Sequence, residues 1–139
     1  MKDLVPLAKS LSQHSHAGQK YGNQDYFLFH VEPVVKSLQL QGFSENYIIV
    51  AYLHDVVEDT SVTIETIYNL FGPVIGDAVK AITKIKGVDR ADYLTICSKN
   101  KIARVVKFHD AVCNGSNCIL HKDSARFNYY IDTISQLKV

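Results

Sequence analysis

The stretch His54-Asp55-Val56-Val57-Glu58-Asp59-Thr60 carries four ionisable side chains next to an apolar segment. On a helix, His54 and Glu58 lie one turn apart on one side, and Asp55 and Asp59 do the same about 100° further round. Burying an imidazole and a carboxylate there costs free energy unless they are paired or bind a cation such as Mn, Fe or Zn. An alternative stays open, in which the run is a polar helix end with both acids of the Glu58-Asp59 pair in solvent.

Two distant segments add candidate ligands. His30 follows the aromatic run Tyr26-Phe27-Leu28-Phe29, and Asp110 lies in a stripe of apolar residues that begins at Val105. On a helix, Asp110 and Asn114 lie one turn apart, so a carboxylate and an amide would face the same pocket. Each segment alone also has an ordinary explanation, as a packed core histidine or a solvated aspartate.

Together these residues resemble the HD superfamily of metal-dependent phosphohydrolases, whose pattern is a histidine after an aromatic run, an adjacent His-Asp pair and a distant aspartate. In more detail, the chain resembles the hydrolase domain of the RelA/SpoT alarmone enzymes and the stand-alone small alarmone hydrolases. Their sequences read roughly H-x-G-Q, Y-x-x-H, A-x-L-H-D-V-V-E-D-T, F-G, V-T-K and V-K-L-A-D-x-x-x-N. The matching stretches here, over about residues 3 to 135, are His16-Ala17-Gly18-Gln19, Phe27-Leu28-Phe29-His30, Ala51 to Thr60, Phe71-Gly72, Ile82-Thr83-Lys84 and Val106 to Asp110 with Asn114.

The resemblance implies an all-α fold, an HD-domain helical bundle in which residues 1–139 form a single hydrolase domain. It implies that Mn(II) is the cofactor, and the ligands that it implies are His30, His54, Asp55 and Asp110. Glu58 and Asp59 then position or deprotonate the attacking water, and Asn114 lies beside the site. The implied reaction removes the 3′-pyrophosphate of (p)ppGpp, giving GDP or GTP and pyrophosphate, which is the degradation of the stringent-response alarmone.

The substrate-binding positions depart from the family's pattern. The alarmone hydrolases usually carry Arg shortly after the Gln of H-x-G-Q, where this chain has Lys20 and Tyr21. Lys20 is a candidate phosphate contact, and Tyr21 a candidate to stack on a base. Lys84 and Lys86 are further candidates, because their loop follows the Thr-Lys motif and could swing over a phosphate. The remaining candidate cations are Arg90, Lys107 and Arg126.

Two other functions therefore stay open. One is a phosphohydrolase of the same fold that acts on another nucleotide, such as an adenosine alarmone or a nucleoside monophosphate. The other is a non-catalytic HD-fold protein that binds a nucleotide. The remaining histidines, which are His14, His16, His109 and His121, are assigned ordinary packing or surface roles.

Helices must position these residues. The spacing of apolar residues predicts helices over residues 4–11, 33–40, 44–57, 63–70, 74–83, 91–98, 101–113 and 124–137. The third is apolar all round, which predicts burial at the centre of the fold. Residues 18–25 are predicted to form a loop, and Asn114-Gly115-Ser116-Asn117 is predicted to end a helix. A buried strand over residues 47–53 also fits the apolar pattern, but the length and the missing alternation favour a helix.

Composition limits the other possibilities. The 139 residues are 47% apolar and 21% charged with a formal charge of +1, which suits one globular domain and predicts neither a nucleic-acid nor a membrane partner. No secretory signal is recognised, so we expect a cytoplasmic protein. Cys97, Cys113 and Cys118 contain no C-x-x-C pair and are expected to be reduced thiols. An oligomer remains possible.

Overall fold

A computed structural model describes residues 3–138 and shows a helical protein with one small β-hairpin. Helix α1 spans Leu4–Ser15, and the side chain of Asp3 caps it by accepting a hydrogen bond from Val5 N at 3.2 Å. Strands β1 (Lys20–Tyr21) and β2 (Gln24–Asp25) follow and pair antiparallel, with Lys20 opposite Asp25. The predicted loop over residues 18–25 is therefore a hairpin.

The next part of the chain contains the residues at the centre of the fold. A single π-helical turn, Phe27–Val31, leads into α2 (Glu32–Leu40), which is followed by α3 (Glu45–Leu53). Residues 48–53 of α3 are all buried, and α3 packs against α1, α2 and two later helices, α5 (Ile64–Ile82) and α7 (Lys101–Leu120). The prediction that this apolar helix lies at the centre is confirmed.

The ionisable run after α3 does not continue as one regular helix. Helix α3 ends at Leu53, Asp55 has φ −113° and ψ 1°, and the short helix α4 spans Val56–Asp59. The predicted helical stacking of His54 with Glu58 is therefore replaced by a turn, which separates the two pairs of ionisable residues.

Four more helices complete the fold, namely α5 (Ile64–Ile82), α6 (Arg90–Lys99), α7 (Lys101–Leu120) and α8 (Ser124–Leu137). The side chain of Thr63 caps α5, as the sequence predicts. Gly72 has φ 84° and ψ 179°, a left-handed conformation that suits glycine, and it kinks α5 at the predicted boundary between two helices. The all-α fold class is confirmed.

The predicted helix end at residues 114–117 is wrong, because α7 continues to Leu120. Gly115 is buried against α8, where a Cβ atom would lie 3.8 Å from Tyr130 Cβ. The side chain of Asn114 hydrogen-bonds to other side chains instead of competing for the backbone. Tertiary packing thus outweighs the low helix propensity of this segment.

Every helix among residues 3–138 is too short or too polar to cross a lipid bilayer.

Candidate metal centre

Four side chains from three parts of the fold meet at one point. His30 Nε2, from the π-helical turn, lies 2.8 Å from Asp110 Oδ1 on α7. His54 Nε2 lies 3.3 Å from the same oxygen and 3.2 Å from Asp55 Oδ2. One ligand atom from each of these residues lies within 4.8 Å of the others. The structure therefore brings together all four residues that the sequence predicts as metal ligands.

The ring of His54 is oriented by its own helix. Its Nδ1 lies 2.7 Å from the carbonyl oxygen of Ala51, so a neutral ring that donates there carries its lone pair on Nε2. That nitrogen is buried and has no hydrogen-bond partner among residues 3–138, yet it faces oxygens of Asp55 and Asp110. Two carboxylates and an imidazole lone pair fit a divalent cation between them, and a set of two nitrogens and two oxygens suits a transition metal.

The charges of the cluster shift the pKa values of its members. Burial lowers the pKa of His54, but Asp55 and Asp110 outweigh that effect and raise the pKa well above 6.5. Burial also raises the pKa of Asp110, but Lys107, His30 and His54 together hold this pKa well below 3.8. A divalent cation would displace the proton on His54.

The two predicted catalytic acids lie on α4, one turn after the cluster. Glu58 Oε1 accepts a hydrogen bond from the backbone N–H of Lys84 at 2.9 Å. Asp59 Oδ2 accepts one from Gln19 Nε2 at 3.1 Å, and Gln19 Oε1 lies 2.8 Å from Nδ1 of the buried His16. Burial raises the pKa of both carboxyls, so each is a better proton acceptor than a free carboxylate.

Asn114 and Tyr21 also lie next to the cluster. Asn114 Nδ2 lies 3.4 Å from Asp110 Oδ1, and Tyr21 Oη donates to Asn114 Oδ1 at 2.6 Å. The ring centre of Tyr21 lies 5.0 Å from that of His30. Tyr21, Asn114 and the exposed Lys20 line a cavity of about 570 Å³. Three predicted site residues therefore border one space large enough for a nucleotide.

The candidate cations Lys84, Lys86 and Arg90 have different surroundings. Lys84 lines a second cavity of about 120 Å³ together with Glu58 and Lys107, whereas Lys86 is exposed and lines neither cavity. Arg90 already binds α8, with Nη1 2.8 Å from Asp132 Oδ2. Lys86 and Arg90 are therefore the weaker candidates for contact with a phosphate.

Three residues at the site have roles that sequence reasoning missed. Lys107, a candidate phosphate contact by sequence, places Nζ 3.0 Å from Asp110 Oδ2, and its i,i+3 spacing on α7 could have revealed this pair. Gln19 stands in a motif that the sequence singles out, but its contact with Asp59 spans 40 residues. Tyr26 donates its hydroxyl to Asp55 Oδ2, and no sequence signal marks that contact.

A family model described as "HD domain" matches residues 8–108. This range includes His30, His54 and Asp55 and ends just before Asp110. The chain belongs to the HD domain family. A solved structure described as a metazoan ortholog of SpoT that hydrolyses ppGpp superposes with a TM-score of 0.80 at 21% sequence identity. It covers 99% of this chain and 84% of that chain, and at this identity it shows that the two share the HD fold.

Curated relatives also match this HD domain chain. A Brucella ovis protein named GTP pyrophosphokinase rsh is 34% identical over 97 residues, 70% of this chain and 13% of that protein. A Synechocystis protein named probable guanosine-3′,5′-bis(diphosphate) 3′-pyrophosphohydrolase is 37% identical over 82 residues, 59% of this chain and 11% of that protein. An Aquifex aeolicus protein named guanosine-3′,5′-bis(diphosphate) 3′-pyrophosphohydrolase is 33% identical over 81 residues, which are 58% of this chain and 12% of that protein. The chain thus spans a small part of the length of these relatives.

Proposed function

We propose that this chain is a Mn(II)-dependent phosphohydrolase that removes the 3′-pyrophosphate of (p)ppGpp. The observation that carries the proposal is the cluster of His30, His54, Asp55 and Asp110, whose ligand atoms lie within 4.8 Å of one another. The names of the Synechocystis and Aquifex relatives support the choice of reaction. Bound at the cluster, the ion would supply Lewis-acid activation of water and of the phosphoryl group.

The two acids on α4 would accept the proton of the attacking water. Water attacks the phosphorus bonded to the ribose 3′-oxygen, and the bond between that phosphorus and the 3′-oxygen breaks. The 3′-oxygen of GDP or GTP is the leaving group, and the water oxygen stays on the released pyrophosphate. Glu58 or Asp59 accepts the proton of the attacking water, and a proton returns to the 3′-oxygen. The raised pKa of each carboxyl brings it closer to neutral pH, where a general base is most effective.

The nucleoside would occupy the cavity of about 570 Å³, a size typical of sites for small ligands. Tyr21 lies in its wall and presents a ring, while Lys20 lies at the exposed rim where a phosphate can meet it. Asn114 connects this cavity to the cluster through Asp110. We infer that the Lys20-Tyr21 pair determines how the nucleoside is held.

Turnover of a nucleotide panel tests the proposal. The purified protein is incubated with Mn(II) and ppGpp, pppGpp, an adenosine alarmone or a deoxynucleoside monophosphate, and pyrophosphate and orthophosphate are measured separately. We expect stoichiometric pyrophosphate from the guanosine substrates. Release of orthophosphate alone, or preference for another nucleotide, would contradict this reaction and favour a phosphohydrolase with another substrate. No turnover of any substrate would favour a non-catalytic protein that binds a nucleotide.

Replacing Gln19 with alanine removes the donor that holds Asp59 Oδ2. We expect kcat to fall about tenfold while Mn(II) affinity stays unchanged, because outer contacts of this kind orient catalytic groups. Steady-state kinetics with a parallel metal titration measure both quantities. Gln13→Ala, which changes an exposed glutamine on α1, is the matched control. An unchanged kcat in Gln19→Ala would show that this hydrogen bond does not orient Asp59 for the reaction.

Replacing Lys20 with alanine is expected to raise KM for ppGpp about fivefold at low salt, because an exposed ion pair contributes up to about 1 kcal/mol. The effect should shrink as ionic strength rises, since salt screens exposed charges. The measurement is KM at several salt concentrations, with Lys36→Ala on the exposed surface of α2 as control. Equal effects of both substitutions would show that Lys20 makes no specific contact.

A further inference from the structure

Tyr26 contacts the four-residue cluster although it is not one of the predicted ligands. Its hydroxyl donates a hydrogen bond to Asp55 Oδ2. This is the same oxygen that lies 3.2 Å from His54 Nε2, so it is the oxygen of Asp55 that faces the cluster. A carboxylate oxygen has two lone pairs and can accept this hydrogen bond while it also binds a cation.

Asp55 is the less restrained of the two clustered carboxylates. The side chain of Asp110 is 6% exposed, lies within a long helix and contacts Lys107, His30 and Asn114. The side chain of Asp55 is 22% exposed and stands at the turn between α3 and α4. Within residues 3–138, its side chain makes polar contacts with His54 and Tyr26. Without the Tyr26 hydroxyl, the contact with His54 would be left to orient this carboxylate.

Tyr26 is itself held firmly. It is 6% exposed, and its ring centre lies 4.8 Å from that of His16 and 5.3 Å from that of His30. It also directly precedes the π-helical turn that carries His30. A rigid hydroxyl at this place fixes one carboxylate and packs beside one histidine of the same cluster.

We propose that Tyr26 is a positioning residue, which holds the Asp55 carboxylate in the orientation that binds the metal ion. The proposal rests on the proposed metal site and adds a residue to it. Hydrogen-bond partners of metal ligands typically contribute about 10–100-fold to metal affinity. A phenylalanine at position 26 keeps the ring and its packing and removes only the hydroxyl.

The test is a titration of the protein with Mn(II) alone, in which electron paramagnetic resonance measures the free ion. We expect Tyr26→Phe to bind Mn(II) about 10–100-fold more weakly than the unaltered protein. Tyr68→Phe is the matched control, because Tyr68 Oη donates to Asp77 Oδ1 at 2.5 Å away from the cluster. Tyr68→Phe should keep full affinity. Circular dichroism of the metal-free variants compares their folding.

A kinetic measurement separates positioning from a general structural defect. Excess Mn(II) should restore most of the kcat of Tyr26→Phe, because mass action refills a weakened site and does not repair a misfolded one. Unchanged or tighter Mn(II) binding by a folded Tyr26→Phe would overturn the inference and leave the proposed function intact. If the unaltered protein binds no Mn(II), both proposals fail.

Discussion

Replacing Asp55 with asparagine is expected to abolish Mn(II) binding and hydrolysis together. Asparagine has nearly the shape of aspartate, but it removes the negative charge that faces His54 Nε2 at 3.2 Å. The cluster then keeps one carboxylate for a divalent cation, and the loss should exceed the roughly 10–100-fold that changes around a ligand cause. Calorimetric titration with Mn(II), followed by a ppGpp hydrolysis assay, measures both effects.

The control for this substitution is Asp77→Asn, an exposed aspartate on α5 whose partner is Tyr68. It makes the same chemical change outside the cluster and should leave metal binding and turnover unaltered. Full Mn(II) affinity in Asp55→Asn would show that the four-residue cluster does not hold the ion.

Replacing Glu58 with glutamine is expected to have the second largest effect, and it should separate chemistry from metal binding. Glutamine still accepts the hydrogen bond from the Lys84 backbone, but it does not take a proton from water. We therefore expect Mn(II) affinity close to that of the unaltered protein and a kcat lower by about 10²–10⁴-fold. Metal titration and single-turnover kinetics measure the two effects separately.

The same substitution should not destabilise the metal-free protein. The pKa of Glu58 is raised by burial, so the folded state binds its proton more tightly than the unfolded state does. Stability from this group is therefore present below pH 4.5 and is lost as pH rises through the raised pKa. At pH 7 the partly buried, ionised carboxylate lowers the free energy of unfolding, and glutamine removes this effect. Thermal unfolding should give a Tm at or above that of the unaltered protein.

Glu65→Gln on α5 is the matched control for Glu58→Gln, since Glu65 is exposed. It should leave kcat unchanged. Loss of Mn(II) in Glu58→Gln as complete as in Asp55→Asn would contradict the division between ligands and proton acceptors.

Much of the fold and of the cluster follows from the sequence. Apolar spacing predicts most of the helices, because each buries one face against α3 or its neighbours, and α3 itself is apolar all round. His54 and Asp55 stand out because an imidazole and a carboxylate beside an apolar segment need compensation, whereas the complete set with His30 and Asp110 is what the resemblance to the HD superfamily implies. Their meeting at one point depends on tertiary structure, since His30 and Asp110 are 80 residues apart.

The errors of sequence reasoning share a physical cause. Asn114 and Gly115 favour a helix end locally, but packing of α7 on α8 holds them in the helix. The hairpin of Lys20–Tyr21 and Gln24–Asp25 has strands too short to show alternation. In the sequence, Tyr26 is one of several neighbouring aromatic residues, and only the folded structure shows that its hydroxyl donates to Asp55.

The segment from His16 to Tyr26 contacts three parts of the site. Gln19 contacts Asp59 on α4, Tyr21 contacts Asn114 on α7, and Tyr26 contacts Asp55 in the turn between α3 and α4. An insertion or deletion here would disturb substrate fit, proton transfer and ion binding together. If the proposed roles hold, substitutions in the hairpin should be epistatic with substitutions at Asp55, Asp59 and Asn114.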